Sequence, residues 1–211
     1  MEGYNRLIYD ETSYKLDELK RKHQTMYGSL TSEQKGIYST FMDAVDKNTG
    51  GMLFVYRYRG TGKTYLYKTM SAALRSQGQI VLNMESSGIA ALLLEGERTA
   101  HSRFAIPINI LEDSMCHIPA DSDLADLIHQ SKLIIWDEAP MLQSYCYKAF
   151  DRTLRDICSH ELNGQHAIRN WKKRLRKKEI EDFENWILNI GNGHIDSKMK
   201  GNQLLYFQMK C

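Results

Sequence analysis

The sequence predicts an α/β fold in which a parallel sheet is flanked by helices. Three observations predict it. Apolar runs of strand length, at 52–56, 80–84 and 132–136, alternate with helix-forming runs. The first run feeds a glycine-containing turn that ends in Gly60-Thr61-Gly62-Lys63-Thr64 and opens a helix. The third run ends in Asp137-Glu138, at a strand's carboxyl end, where such sheets bind ligands.

In chain order, residues 4–27 are polar and charged and read as a helical lead-in. Thr31 is a good N-cap for the next helix, and Gln34 stands where a capping box wants Gln or Glu. Ile37, Phe41, Met42 and Val45 follow at helical spacing. Asn48-Thr49-Gly50-Gly51 ends that helix before the first strand. The helix that starts at Lys63 runs to Gly78, a C-cap residue. A strand over 80–84 is followed by Ser86-Ser87-Gly88 and a short apolar helix over 89–94. Residues 99–107 read as irregular and 113–123 as a polar loop. A short helix over 123–130 leads into the strand at 132–136, and a helix covers 145–158. Past Cys158 the texture changes: 159–171 is polar, a basic run follows, and Ile180, Phe183, Ile187 and Ile190 mark one helix face. Residues 191–211 show no clear period. The expected division is a lead-in over 1–29, a nucleotide-binding lobe over 30–158, and a basic helical tail over 159–211.

A chain of 211 residues with 42% hydrophobic content can bury one sizeable core. The net charge of +2 is small but unevenly spread. Lys172, Lys173, Arg174, Arg176, Lys177 and Lys178 are six cations within seven residues, and without them the balance turns negative. Such a run has three readings: a solvated helix face, a nuclear-import signal, or a contact to nucleic-acid phosphates. The four cysteines show no paired spacing and read as reduced thiols of an intracellular protein. No apolar run is long enough to span a membrane, and the start of the chain is no signal peptide.

The turn at 57–64 carries the first chemistry. Wrapping a polyphosphate with backbone N–H groups needs small residues with free φ. Lys63 supplies a charge for the β- and γ-phosphates, Thr64 a hydroxyl for Mg²⁺, and the helix N-terminus a partial positive charge. The full pattern wants a glycine where this chain has Arg57. Asp137 and Glu138, 74 and 75 residues after Lys63, supply what a nucleotide hydrolase needs next. One carboxylate holds Mg²⁺ and the other polarises the attacking water.

These motifs together resemble the petite-integration-frequency class of ATP-dependent DNA helicases, in the branch common in plants and rolling-circle transposons. The resemblance runs over residues 5–158. Asn5-Arg6-Leu7-Ile8-Tyr9-Asp10-Glu11 resembles the family's lead-in, and Leu30-Thr31-Ser32-Glu33-Gln34 its adenine-sensing motif. Tyr58 and Gly60-Thr61-Gly62-Lys63-Thr64 match its nucleotide loop. Ser86-Ser87-Gly88-Ile89-Ala90-Ala91 and Thr99-Ala100-His101-Ser102-Arg103-Phe104 resemble its two single-strand contacts. Ile134-Ile135-Trp136-Asp137-Glu138-Ala139-Pro140-Met141 resembles its metal and water motif.

The resemblance implies a RecA-like first motor lobe of the P-loop nucleotide-hydrolase kind. It also implies ATP as substrate, Mg²⁺ as cofactor, single-stranded DNA as partner, and a nuclear role in DNA repair, recombination and telomere maintenance. It assigns Gln34 and Tyr58 to the nucleotide and Gly60, Thr61, Gly62 and Lys63 to its phosphates. Thr64 and Asp137 go to Mg²⁺, Glu138 to water, and Ser87, His101 and Phe104 to DNA. The residues themselves allow plainer roles: Gln34 and Ser87 as caps, His101 as an ordinary loop histidine, Phe104 as core.

The chain departs from the family in three places. Arg57 and Arg59 stand where its loop has glycines. Its next block, a strand ending in Gly-Asp-x-Arg-Gln, has no counterpart over 160–211, and residues 179–193 resemble a much later segment. The second lobe with its arginine finger has no counterpart either. The expectation is an internally deleted, C-terminally truncated member with impaired 5′-to-3′ unwinding. A sheet lacking that central strand would have apolar surface to cover, and pairing with another protein is one way to cover it. The alternatives are a non-catalytic fragment that binds nucleotide or single-stranded DNA, and a small phosphotransferase, for which no nucleoside-specific motif is present.

Overall fold

The computed structural model describes residues 4–47, 51–56, 62–86, 98–137, 142–161 and 203–208. The lead-in is two helices, α1 (Arg6–Thr12) and α2 (Leu16–Gly28). Asn5 caps α1 by accepting from the backbone N–H groups of Leu7 and Ile8. Helix α3 (Ser32–Asp46) opens on the expected capping box: Gln34 N–H donates to Thr31 Oγ1 at 3.2 Å, and Thr31 N–H donates to Gln34 Oε1 at 2.9 Å. Strand β1 (Gly51–Tyr56) is followed by α4 (Lys63–Arg75). Gly78, at φ +75°, takes the left-handed turn that stops α4, as expected of a C-cap glycine.

Strand β2 (Ile80–Glu85) is followed by a two-residue strand, β3 (Arg98–Thr99), and a single helical turn, α5 (Ala100–Arg103). The stretch expected to be irregular from Thr99 is therefore ordered locally, because Thr99 Oγ1 accepts from Ser102 N–H and caps the turn. Helix α6 (Asp123–Gln130) is capped by Ser122 and leads into β4 (Ser131–Asp137). Helix α7 (Ser144–Glu161) follows. The expected helix over 89–94, the basic run and the helix face over 180–190 lie outside the described residues.

The sheet order is β1-β5-β4-β2-β3, where β5 is Gln203–Gln208. Strands β3, β2 and β4 are mutually parallel. Strand β5 runs antiparallel to both β1 and β4, so β1 and β4 run in the same direction. Two expectations are corrected here. The sheet is mixed rather than wholly parallel, and the C-terminal segment contributes a strand. The missing central strand is not left as a gap: the chain's own residues 203–208 fill it.

Both faces of the described sheet are covered, which is why β2 and β4 read as continuous apolar runs. Alternate residues point to opposite faces. Val81, Leu133 and Ile135 join Phe41, Leu66, Tyr67, Met70 and Leu74 of α3 and α4 on one side. Leu82, Met84, Ile134 and Trp136 join residues of α5, α6 and α7 on the other. The lead-in is tied to both layers by a buried ion cluster. Glu11 of α1 meets Arg75 of α4 at 3.2 Å and also pairs with Arg103 of α5. Arg75 donates further to the Val81 carbonyl at 2.8 Å and lies over the Tyr14 ring.

Cys116 and Cys146 are free and buried, and burial pushes the Cys116 thiol up to about 11. Cys158 is disulfide-bonded, a departure from the expectation of reduced thiols throughout. Among the described residues, no helix is long and apolar enough to cross a membrane.

Candidate functional site

The site is built where β1 and β4 end. Pairing through β5 fixes their relative height: Leu205 sits opposite both Phe54 and Trp136, and Tyr206 opposite both Leu53 and Ile135. The carboxyl ends of β1 and β4 therefore lie at the same edge of the sheet. They are two strand spacings apart, roughly 10 Å.

Helix α4 starts at this edge. Its N-cap, Gly62, has φ +75° and ψ 26°, a left-handed conformation that favours glycine. Lys63 is the first helical residue and is only 6% exposed, while Thr64 beside it is half-buried. The N–H groups of the first turn and the helix dipole make this terminus attractive to anions. Gln34 reaches the same point from α3. Its Nε2 donates to the Gly62 carbonyl at 3.5 Å, while its Oε1 is engaged in the capping box. Gln34 thus takes the expected capping role on α3 and also abuts the turn before α4.

Asp137, the last residue of β4, is buried. Ser86, just past β2, ties the two strand ends together. The Trp136 indole N–H donates to Ser86 Oγ at 3.2 Å, and Ser86 Oγ donates to the Asp137 carbonyl at 3.4 Å. Two residues near Asp137 escaped the sequence reading. Glu85 is its register partner on β2 and is 2% exposed. The only sequence signal was that Glu85 also ends an apolar run. Tyr67 lies one helical turn after Lys63 and is fully buried. Its hydroxyl has no hydrogen-bond partner among the described residues, and its pKa is pushed well above the ordinary phenol value by burial and then by the Asp137 charge.

Tyr58, Gly60, Thr61, Ser87 and Glu138 lie outside the described residues. His101 is half-buried in α5. Phe104 is placed differently from the expectation of a DNA contact. It is fully buried, its ring centroid 4.2 Å from that of Phe150 and 6.2 Å from that of Trp136. A ring held in the core has no face to offer a base, so the plainer core role fits. A shallow groove lies over 105–117, and none of its lining residues belongs to the nucleotide edge.

Thr64 offers a hydroxyl and Asp137 a buried carboxylate, oxygen donors of the kind Mg²⁺ takes beside phosphate and water. Among the described residues there is no cluster of three His, Cys, Asp or Glu side chains that would make a self-sufficient metal cage.

A buried carboxylate and a glycine-capped Lys-Thr helix start at one carboxyl edge put the chain in the class of α/β folds that take ligands there. The family model for PIF1-like helicases matches residues 29–167, more than half of the chain. The chain belongs to that family, which implies the P-loop nucleotide-hydrolase fold and ATP-dependent helicase activity. A search of curated proteins returned no match.

Proposed function

We propose that this chain is the nucleotide-binding first lobe of an ATP-dependent 5′-to-3′ DNA helicase. In this reading Lys63 and the turn through Tyr58, Gly60, Thr61 and Gly62 receive the triphosphate, with Gln34 toward the adenine. Thr64 and Asp137 hold Mg²⁺ when it is bound, and Mg²⁺ offsets the charge on the β- and γ-phosphates. Glu138 orients the attacking water. Ser87 and His101 face DNA, and the reading places the protein in nuclear DNA repair and recombination.

The observation that carries the reading is the common height of Phe54 and Trp136 across β5, which brings the starts of both motifs to one edge. The test is MgATP binding by the purified chain, with and without Lys63→Ala. Magnesium-dependent binding that falls at least tenfold in the variant is expected. Equal binding by both proteins, or none by either, would sink the reading.

Arg57 and Arg59 favour a second reading, a fragment that binds single-stranded DNA without turning over nucleotide. Salt separates the two. Phosphate contacts would make DNA binding fall steeply between about 50 and 200 mM salt, whereas nucleotide binding through Lys63 would need magnesium.

A further inference from the structure

Among the described residues, strand β1 is hydrogen-bonded to one strand only, β5, the last of the described strands. Six residues of β5 pair with β1 and three of the same six pair with β4. An inner strand directs its N–H and C=O groups alternately to its two neighbours. Without β5, both neighbours would present unpaired edges across a space one strand wide.

The direction of β5 is informative as well. A strand that followed α7 by the usual right-handed crossover would lie parallel to β4. Instead Gln203 lies opposite Tyr56, so the strand enters at the ligand edge and runs down to Gln208 opposite Gly51. Its sequence suits an inner position: Leu204, Leu205, Tyr206 and Phe207 are contiguous, uncharged and rich in strand-forming types, with glutamine at either end.

We infer that the space between β1 and β4 is a binding slot for an extended segment, that this chain's own Gln203–Gln208 is its occupant, and that occupancy fixes the nucleotide-loop strand to the acid-bearing strand. The slot is filled by strand addition, in which main-chain hydrogen bonds supply the affinity. Only the consequence for nucleotide binding rests on the proposed function; the slot itself stands on the pairing.

The test compares the full chain with two variants, one ending at residue 200 and one carrying Leu205→Pro. Proline removes a ladder N–H from an inner strand. Amide hydrogen exchange is followed over 51–56 in β1 and 80–85 in β2. In both variants exchange over β1 should accelerate on the order of 100-fold, with β2 changed far less. A synthetic peptide of residues 201–211 should restore β1 protection to the shortened chain, and a scrambled peptide should not.

Unchanged protection in the shortened chain would overturn the inference. Where β2 loses protection too, rescue by the peptide decides: recovery supports the slot and failure to recover refutes it. Protection that rises with protein concentration, alongside a dimer in sedimentation, would overturn occupancy by the chain's own strand. MgATP affinity is measured on the same samples. A full chain that binds no nucleotide but shows the exchange pattern would sink the nucleotide reading and leave the slot standing.

Discussion

Gly62 joins two requirements at one backbone position. Its φ of +75° costs a side-chain-bearing residue roughly 1–2 kcal/mol. A Cβ there would also come 2.7 Å from Gln34 Nε2. Gly62→Ala should therefore lower the thermal midpoint by a few degrees and weaken MgATP binding at least tenfold. The amide end of Gln34 can swing aside cheaply, so the backbone strain carries most of the loss. A variant with the parent's midpoint and affinity would mean the turn is unstrained. A second residue-scale effect concerns His23, whose Nε2 lies 2.9 Å from Tyr38 Oη. Burial lowers the His23 pKa below its ordinary 6.5, so folding favours the neutral ring. Its contribution to stability is complete above that value and is lost as pH falls through it toward the folded pKa. The thermal midpoint should drop as pH falls through 6.5, and His23→Gln should flatten that part of the profile. Local rules made the Thr31–Gln34 box readable, because its partners are three residues apart. The burial of Phe104 was not readable, since a core ring and a base-stacking ring are the same residue type in the same context.

Among the elements, α4 links the nucleotide edge to the rest of the molecule. Its first turn holds Lys63 and its last holds Arg75, which joins Glu11 and Arg103 in a cluster where every member is 7% exposed or less. Removing one member of such a cluster leaves a buried charge without its counter-charge, a loss of about 3–5 kcal/mol. Glu11→Gln should therefore cost several kcal/mol in urea unfolding, whereas Arg6→Gln on the exposed face of the same helix should cost almost nothing. Equal, small losses would show that the cluster only decorates the α1–α4–α5 junction. Sequence periodicity announced α6, β4 and α7, each a run with its own caps or apolar pattern. It missed α5, a single turn too short to show a period. It also missed β5, whose partners Gly51–Tyr56 lie some 150 residues earlier. Glu85 escaped for the same reason: its meaning comes from standing beside Asp137, and strand pairing is not written in local spacing.

At the scale of the whole molecule, binding nucleotide and moving along DNA are separable tasks. In the proposed reading, the edge between α4 and β4 supplies an anion-binding helix start, a lysine and a carboxylate for MgATP. Unwinding asks for more: a second surface must close on the nucleotide and bring an arginine to the transferred phosphoryl group. That arginine is worth about 10³–10⁵ in rate. The chain of residues 1–211, assayed alone, should therefore bind MgATP yet turn it over near the background rate. Single-stranded DNA should stimulate that turnover less than about tenfold, and a strand-displacement assay should yield little product. Loss of binding in Lys63→Ala with turnover unchanged would trace any residual hydrolysis to a contaminant. Robust unwinding by the purified chain would instead mean that two copies, or a segment past Glu161, close the site, and the division between binding lobe and motor would have to be redrawn.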